Sequence, residues 1–222
     1  MIEARSSFRR ALGALLVTAA VAAPGAAGAQ VLNYPAFQPP TVVGREYTGG
    51  VSNGEDITTI VFQWREGMSS ISQFSFDAGL ADLGGDSDIE LVLGGAYARQ
   101  LVRESRDLPL DMLFTAGAYA GVGEVTLFRV PVGVSIGHRF PLEGDLAITP
   151  YLHPRVSLDY RGEYGEAESD TDLGVLFDLG ADFEVSPRLS LRVAFTFGGE
   201  EAFGGGNAVG FGLAWKPVGL RR

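Results

Sequence analysis

Residues 171–198 read TDLGVLFDLGADFEVSPRLSLRVAFTFG, and this stretch carries the clearest pattern in the chain. From residue 173 to residue 185, apolar side chains occupy the odd positions, whereas the even positions are mostly small or acidic. After a turn at Ser186-Pro187, the alternation resumes from Leu189 to Phe197. Because side chains alternate across a strand, the pattern predicts a β-hairpin with one apolar face and one polar face.

Both predicted strands are longer than the about 5–6 residues that are usual in soluble proteins. They reach the length of about 9–11 residues that a tilted strand needs to cross a bilayer. The hairpin therefore predicts a β-barrel whose apolar face is turned toward lipid.

The N-terminal residues have the pattern of a secretory signal. Arg5, Arg9 and Arg10 precede an apolar run over residues 11–23, and small residues then lead to Ala27-Gly28-Ala29. A basic start, a short apolar run and an A-x-A site are typical of a signal peptide, with cleavage expected after Ala29. The apolar run is too short for a membrane-spanning helix. We therefore expect residues 1–29 to be removed during export.

The composition after the signal is acidic and lacks cysteine. Residues 1–29 contain three Arg and one Glu, so the remaining chain has 14 basic and 26 acidic side chains and a net charge of −12. This charge argues against nucleic acid as a partner. The absence of cysteine excludes disulfides, thiolate metal sites and a cysteine nucleophile. Glycine is abundant (31 residues), and amphipathic helical patterns are missing after the signal, so an all-β domain is predicted.

Turn signals divide the rest of the chain into ten predicted strands. The strands are about residues 43–51, 57–65, 71–80, 89–101, 110–122, 125–140, 146–160, 173–185, 189–198 and 209–215. Their connections alternate between a set that is short and a set that is on the whole longer and richer in Gly and acidic residues, as in transmembrane barrels. If the short first strand is not formed, the count becomes eight. Prolines at 131, 150 and 154 are expected to remove ladder hydrogen bonds and to mark bulges or kinks.

This pattern predicts one domain, a single closed antiparallel up-and-down transmembrane β-barrel. The predicted boundaries are 1–29 for the signal peptide, 30–42 for a Pro-rich N-terminal tether, 43–216 for the barrel and 217–222 for a C-terminal tail.

The last strand ends in Gly210-Phe211-Gly212-Leu213-Ala214-Trp215. With the strand architecture and the signal, this ending resembles the small outer-membrane β-barrel family of Gram-negative-type bacteria. The resemblance implies an outer-membrane location, contact with outer-membrane lipid and a monomeric barrel. It also implies that the barrel-assembly machinery recognises the last strand through Gly210, Leu213 and Trp215.

A secreted lipocalin-like soluble barrel also has alternating strands, but its apolar side chains point inward. The polar face here mixes Gly, Ser, Thr, Asp and Arg, and Lys216 is the only lysine. A solvated outer surface usually carries interspersed Lys and Glu. The composition therefore favours a membrane barrel with a polar lumen over the soluble alternative.

The polar face predicts a network of charged side chains in the lumen. Buried charges are retained when they are paired, so an internal ion-pair network that closes the barrel is expected. A narrow porin-like or solute-binding channel is the alternative. The predicted network consists of Glu90, Asp111, Arg129, Arg155, Asp159, Asp178, Asp182 and Arg192.

The sequence assigns no catalytic, cofactor-binding or metal-binding residue. The two histidines, His138 and His153, lie in no motif that supports a catalytic triad, so an embedded hydrolase is a remote alternative. The acidic connections at about 82–88 and 163–170 match no calcium-binding loop and are interpreted as solvated charge. A structural or interaction role in the outer membrane is therefore the favoured function.

Overall fold

The computed structural model describes Leu32 and residues 36–54, 57–82, 89–123, 126–163, 169–198 and 206–217. The predicted signal peptide lies outside these residues, as do positions 86, 88, 166 and 168 of the acidic connections. No helix in the described part is long and apolar enough to cross a membrane. The strand segments are β1 Arg45–Gly54, β2 Ile57–Ser69, β3 Ser72–Asp82, β4 Ile89–Val102, β5 Asp111–Val122, β6 Leu127–Gly137, β7 Phe140–Pro141, β8 Ala147–Arg161, β9 Asp170–Ser186, β10 Leu189–Gly198 and β11 Ala208–Trp215.

The strands form one closed antiparallel sheet. Each strand pairs with its neighbours in the chain, and β1 pairs with β11 from Tyr47 opposite Trp215 to Asn53 opposite Val209. The two-residue segment β7 continues β6 after a break, and both pair with β8 in one register. The barrel wall therefore has ten strands, with β6 and β7 counted as one. The first predicted strand is present, which confirms the count of ten over the alternative of eight.

The apolar side chains point outward. In β9, the alternate residues Leu173, Phe177 and Leu179 are exposed, whereas Asp178 and Asp182 are buried. The same alternation holds in β6, β8 and β11. A lipocalin-like barrel would have the opposite arrangement, so the structure excludes that alternative. Closure leaves no free sheet edge, and the apolar surface faces the surroundings, which is the architecture of a transmembrane β-barrel.

The prolines interrupt ladders without changing the register. The β5–β6 pairing is interrupted opposite Pro131, and the β6–β8 pairing is interrupted opposite Pro154. Pro150 faces the break between β6 and β7. Proline has no N–H to donate, which explains each gap. The expected loss of ladder bonds is confirmed, but the expected bulges are absent at all three positions because the register on either side of each gap is the same.

The two ends of the barrel differ in their connections. One end, called the near end here, carries the connections 70–71, 103–110, 142–146 and 187–188. The other, called the far end, carries 55–56, 83–88, 123–126, 162–169 and 199–207. The strands β8 and β9 extend beyond β10 at the far end, because β9 pairs with β10 only as far as Leu176.

Two tyrosine rings inside the barrel lie against glycines of neighbouring strands. A Cβ placed at Gly94 of β4 would overlap the ring of Tyr119, and one placed at Gly180 of β9 would overlap the ring of Tyr151. Both tyrosines belong to strands that neighbour these glycines in the sheet. The missing side chains therefore make room for aromatic rings that fill the lumen.

We expect Gly94→Ala to destabilise the barrel by about 1–3 kcal/mol, because the added methyl group forces the Tyr119 ring and its neighbours to move. Gly49→Ala on β1 is the matched control, since a Cβ at Gly49 meets no atom within 4 Å. The free energy of unfolding in urea, measured for both variants in liposomes, tests this. Equal values for both variants would contradict the packing of Tyr119 on Gly94.

Candidate functional site

The inward face of the barrel holds more acidic than basic side chains. Among the described residues, four arginines and seven carboxylates are buried, so the carboxylates outnumber the arginines by three. Burying a charge is unfavourable unless it is paired and hydrogen-bonded. The buried charged residues are Glu46, Arg65, Asp77, Glu90, Asp111, Arg129, Arg155, Asp159, Asp178, Asp182 and Arg192.

A first cluster lies toward the near end and is centred on Arg192 of β10. The Arg192 Nε donates to Asp182 Oδ1 at 2.9 Å, and Nη1 and Nη2 each donate to the Glu46 carboxylate at 2.8 Å. Arg65 donates from Nη1 to Glu46 Oε1, also at 2.8 Å. Glu46 is thus shared by two arginines from different strands. The cluster ties β1, β2, β9 and β10 together across the lumen.

A second cluster lies deeper toward the far end and contains two ion pairs. Arg129 makes a two-pronged contact with Asp159, with Nε–Oδ1 and Nη2–Oδ2 distances of 2.8 and 2.9 Å. Arg155 donates from Nη2 to Asp178 Oδ1 at 2.6 Å. Thr196 of β10 donates to the same carboxylate oxygen at 2.8 Å. These contacts connect β6, β8, β9 and β10.

The N-terminal segment before β1 lies inside the barrel. We call Leu32 and residues 36–43 the N-terminal plug. The carbonyl of Leu32 accepts from Arg129, two residues from the far end of β6, and the amide of Val43 donates to Gln73 near the start of β3 at the near end. The described part of the predicted tether therefore lies in the lumen, with contacts from the far end to the near end.

The plug is held mainly through its backbone. Between the described residues, nine hydrogen bonds join plug backbone atoms to lumen side chains of five strands. The lumen side chains that make them are Gln63 and Arg65 of β2, Gln73 of β3, Gln100 of β4, Arg129 and Ser135 of β6, and Arg192 of β10.

One plug side chain is an apolar anchor. Phe37 is 1% exposed, and its ring lies against Gly50 of β1, where an added Cβ would come within 2.9 Å of the ring. The Phe37 carbonyl accepts hydrogen bonds from Arg65 at 2.6 Å and from Arg192 at 3.4 Å. Phe37 therefore joins the plug to the first ion cluster.

Thr115, His153 and Asp178 are arranged in the order of a hydroxyl–imidazole–carboxylate triad. The Thr115 Oγ1 to His153 Nε2 distance is 2.8 Å, and the His153 Nδ1 to Asp178 Oδ2 distance is 3.2 Å. Thr115 and His153 line a cavity of about 30 Å³, which the plug residues Ala36 and Gln38 also line. The plug therefore shares the space that these two side chains face.

The structure brings six of the eight predicted lumen residues into the two clusters. They are Arg129, Arg155, Asp159, Asp178, Asp182 and Arg192. Glu90 and Asp111 are buried in the lumen wall but lie outside the clusters. Asp111 accepts from the amide of Glu104 at the near end, and Glu90 lies beside Gly123 at the far end.

Sequence reasoning missed Glu46, Arg65 and the plug. Arg65 follows Val61 and Gln63 on the inward face of β2, so extending the alternation by one step would have found it. Glu46 lies in the same alternation of β1. The plug had no such signal, because its contacts are made by carbonyl and amide groups that every residue type carries.

The residues of the expected assembly signal lie in β11, which closes the barrel against β1. Gly210 is buried, whereas Leu213 and Trp215 are exposed on the outer surface. The Trp215 ring stacks on Tyr47 with a centroid distance of 5.8 Å.

No family model matches the chain, and no curated protein is significantly similar to it. Similar solved structures include a de novo designed transmembrane β-barrel, at 15% identity and a TM-score of 0.38, covering 81% of this chain and 98% of that one. A bacterial polysaccharide outer membrane secretin has 10% identity and a TM-score of 0.47, with 80% and 67% of the two chains covered. The KdgM porin has 7% identity and a TM-score of 0.39, covering 79% and 99%. At these values the likeness carries no argument about function.

Proposed function

We propose that the protein is an outer-membrane β-barrel with a structural or interaction role, closed by its own N-terminal plug and by internal ion pairs. The outward apolar faces and the closed sheet support a location in a bilayer. The signal-like sequence that ends near Ala29 supports export through the inner membrane. Because the closed sheet has no free edge for another strand, the barrel is proposed to be a monomer.

The N-terminal plug is the observation that supports the closed state. Phe37 is buried in the lumen, where arginines of β2 and β10 donate to its carbonyl, and an arginine of β6 donates to the carbonyl of Leu32. The plug residues Ala36 and Gln38 line the same cavity as Thr115 and His153. The plug therefore supports a closed lumen. No catalytic activity is included in the proposal, because the plug occupies the space beside Thr115 and His153.

Conductance of the purified protein in planar bilayers tests the closed state. We expect no steady current through the full-length mature protein. The control is a chain without residues 30–43, because its lumen lacks the plug. Current in this variant alone would show that insertion into the bilayer succeeded. Steady channels in the full-length protein would contradict a closed barrel.

The alternative function is a narrow channel, and the acidic excess of the lumen favours it. Seven buried carboxylates against four arginines would attract cations into a water-filled path. A channel would therefore be cation-selective, which the reversal potential in a salt gradient measures.

The proposed orientation places the near end in the periplasm and the far end outside the cell. It is supported by the connection lengths, because transmembrane barrels have short periplasmic turns and longer external loops. We expect an epitope tag inserted at Glu166 to be accessible to antibody on intact cells, and a tag at Ser186 to be hidden until the envelope is opened. The reverse accessibility would invert the topology.

The last strand is proposed to be the segment that the barrel-assembly machinery recognises. Leu213 and Trp215 lie on the outer surface of the closing strand, where a partner can reach them before β11 pairs with β1. Gly210 lies on the opposite face of the same strand.

A further inference from the structure

We propose that the lumen is a binding site for a proline-containing polypeptide segment, and that the N-terminal plug is its tethered occupant. This inference goes beyond the closed-barrel function, because it assigns a ligand class to the interior. It does not depend on whether the barrel conducts ions.

The lumen recognises peptide backbone at successive positions. Ser135 donates to the carbonyl of Gln38 at 2.6 Å, and Arg65 donates to the carbonyls of Ala36 and Phe37. Gln100 donates from Nε2 to the Pro40 carbonyl at 2.8 Å and accepts from the Val42 amide at 3.1 Å. Because these contacts use backbone groups, the site recognises a polypeptide backbone rather than one side-chain sequence. The backbone is not extended throughout, since Phe37 has a φ of 45°.

Two arginines of the lumen, Arg65 and Arg192, are held by carboxylates of the barrel wall as well as by the plug. Glu46 and Asp182 hold Arg192, and Glu46 also holds Arg65. Arg65 Nη2 and Arg192 Nη1 also donate to the Phe37 carbonyl. Leaving a buried charged donor without an acceptor costs free energy. An occupant that supplies carbonyl oxygens at this depth is therefore favoured over an empty lumen.

Proline suits this site because the lumen offers mainly donors along the centre of the plug. From residue 36 to residue 40, every plug backbone group that contacts a lumen side chain is an accepting carbonyl. Pro39 and Pro40 are both buried. Proline has no N–H, so burying it here leaves no amide donor without a partner.

Specificity within this class comes from the aromatic anchor. The Phe37 ring lies against Gly50, where the strand has no side chain. In contrast, the Gln38 side chain donates to its neighbouring Pro39 carbonyl rather than to the barrel. The ligand is therefore a peptide with accepting carbonyls, proline residues and one aromatic side chain at the position of Phe37.

The test cleaves the chain between the N-terminal plug and β1 in the folded protein. A protease recognition sequence is inserted at Gly44, which is exposed and where an added Cβ meets no atom within 4 Å. After cleavage in detergent, a fluorescent peptide of residues 30–43 is added to the nicked barrel, and binding is followed by anisotropy. We expect saturable binding that unlabelled peptide reverses. A peptide with Phe37→Ala is expected to bind at least tenfold more weakly, whereas one with Gln38→Ala binds within about threefold of the native peptide.

Non-saturable binding would overturn the proposal, as would equal affinity of the native and Phe37→Ala peptides. Displacement of the labelled peptide by an oligosaccharide, with no displacement by unlabelled peptide, would overturn the assignment to polypeptide. If the cut fragment stays bound and no exchange occurs, the same peptide is added while a variant lacking residues 30–43 refolds. A peptide-dependent gain in folded yield supports the site, and a yield independent of peptide overturns it. Steady current through the uncut protein would contradict the closed-barrel function alone.

Discussion

Replacing Arg192 by methionine is expected to destabilise the barrel by about 3–5 kcal/mol, the loss that follows when one partner of a buried ion pair is removed. The Arg192 side chain is buried and contacts Glu46, Asp182 and the plug carbonyl of Phe37. Without it, Glu46 keeps its contact with Arg65, but Asp182 loses its arginine. The free energy of unfolding in urea, measured in liposomes, reports the loss.

A double-mutant cycle with Asp182→Asn separates the ion pair from the other contacts of Arg192. We expect the double variant to recover part of the loss, with a coupling energy of about 1–3 kcal/mol, because the two residues are in direct contact. Strong coupling would show that this ion pair helps to hold the interior of the barrel closed. Additive effects would show that the charges do not interact and that the lumen is wet and open.

Arg139 provides a matched control for Arg192. It makes an equally short two-pronged contact with Glu184, with distances of 2.9 and 2.8 Å, but its side chain is 44% exposed at the near end. Exposed ion pairs contribute about 0–1 kcal/mol. We therefore expect Arg139→Met to change stability by no more than that. A loss equal to that of Arg192→Met would show that burial does not set the difference.

Val193→Arg is expected to destabilise the membrane-inserted barrel by about 2–4 kcal/mol, the cost of an arginine on the lipid face near the bilayer midplane. Val193 is the fifth of ten residues in β10 and lies between Ala181 and Phe211 of the neighbouring strands. Its side chain belongs to the outer apolar face. Folding efficiency in liposomes and urea unfolding measure the effect.

Leu173→Arg is the control for depth. Leu173 is 61% exposed and lies in the part of β9 that extends beyond β10 at the far end. Near the membrane surface an arginine on the lipid face costs about 0–1 kcal/mol. Equal losses for Val193→Arg and Leu173→Arg would mean that the outer face does not experience a depth-dependent lipid environment.

The sequence by itself determined the strands and their faces, and it predicted ten strands with eight as the alternative. The alternation from Leu173 to Phe197 predicted the hairpin, and it also predicted that Asp182 and Arg192 share the polar face. In the structure these two residues are directly opposite each other. The shared face could be predicted because alternation is a local property of a strand. The direct pairing could not, because the ladder shifts register between Leu189 and Ser190, next to the turn.

Only the tertiary structure decided what fills the lumen. Glu46 meets Arg192 across the seam where β1 and β11 close the barrel, 146 residues apart in sequence, and no local pattern encodes that distance. The Pro-rich segment was predicted to be a tether because it lacks periodicity. Its place in the lumen depends on backbone carbonyls that meet Arg65, Ser135 and Gln100 once the strands have curved around it. Backbone carbonyl groups are the same in every residue, so only the closed three-dimensional arrangement of donors shows that this segment is bound.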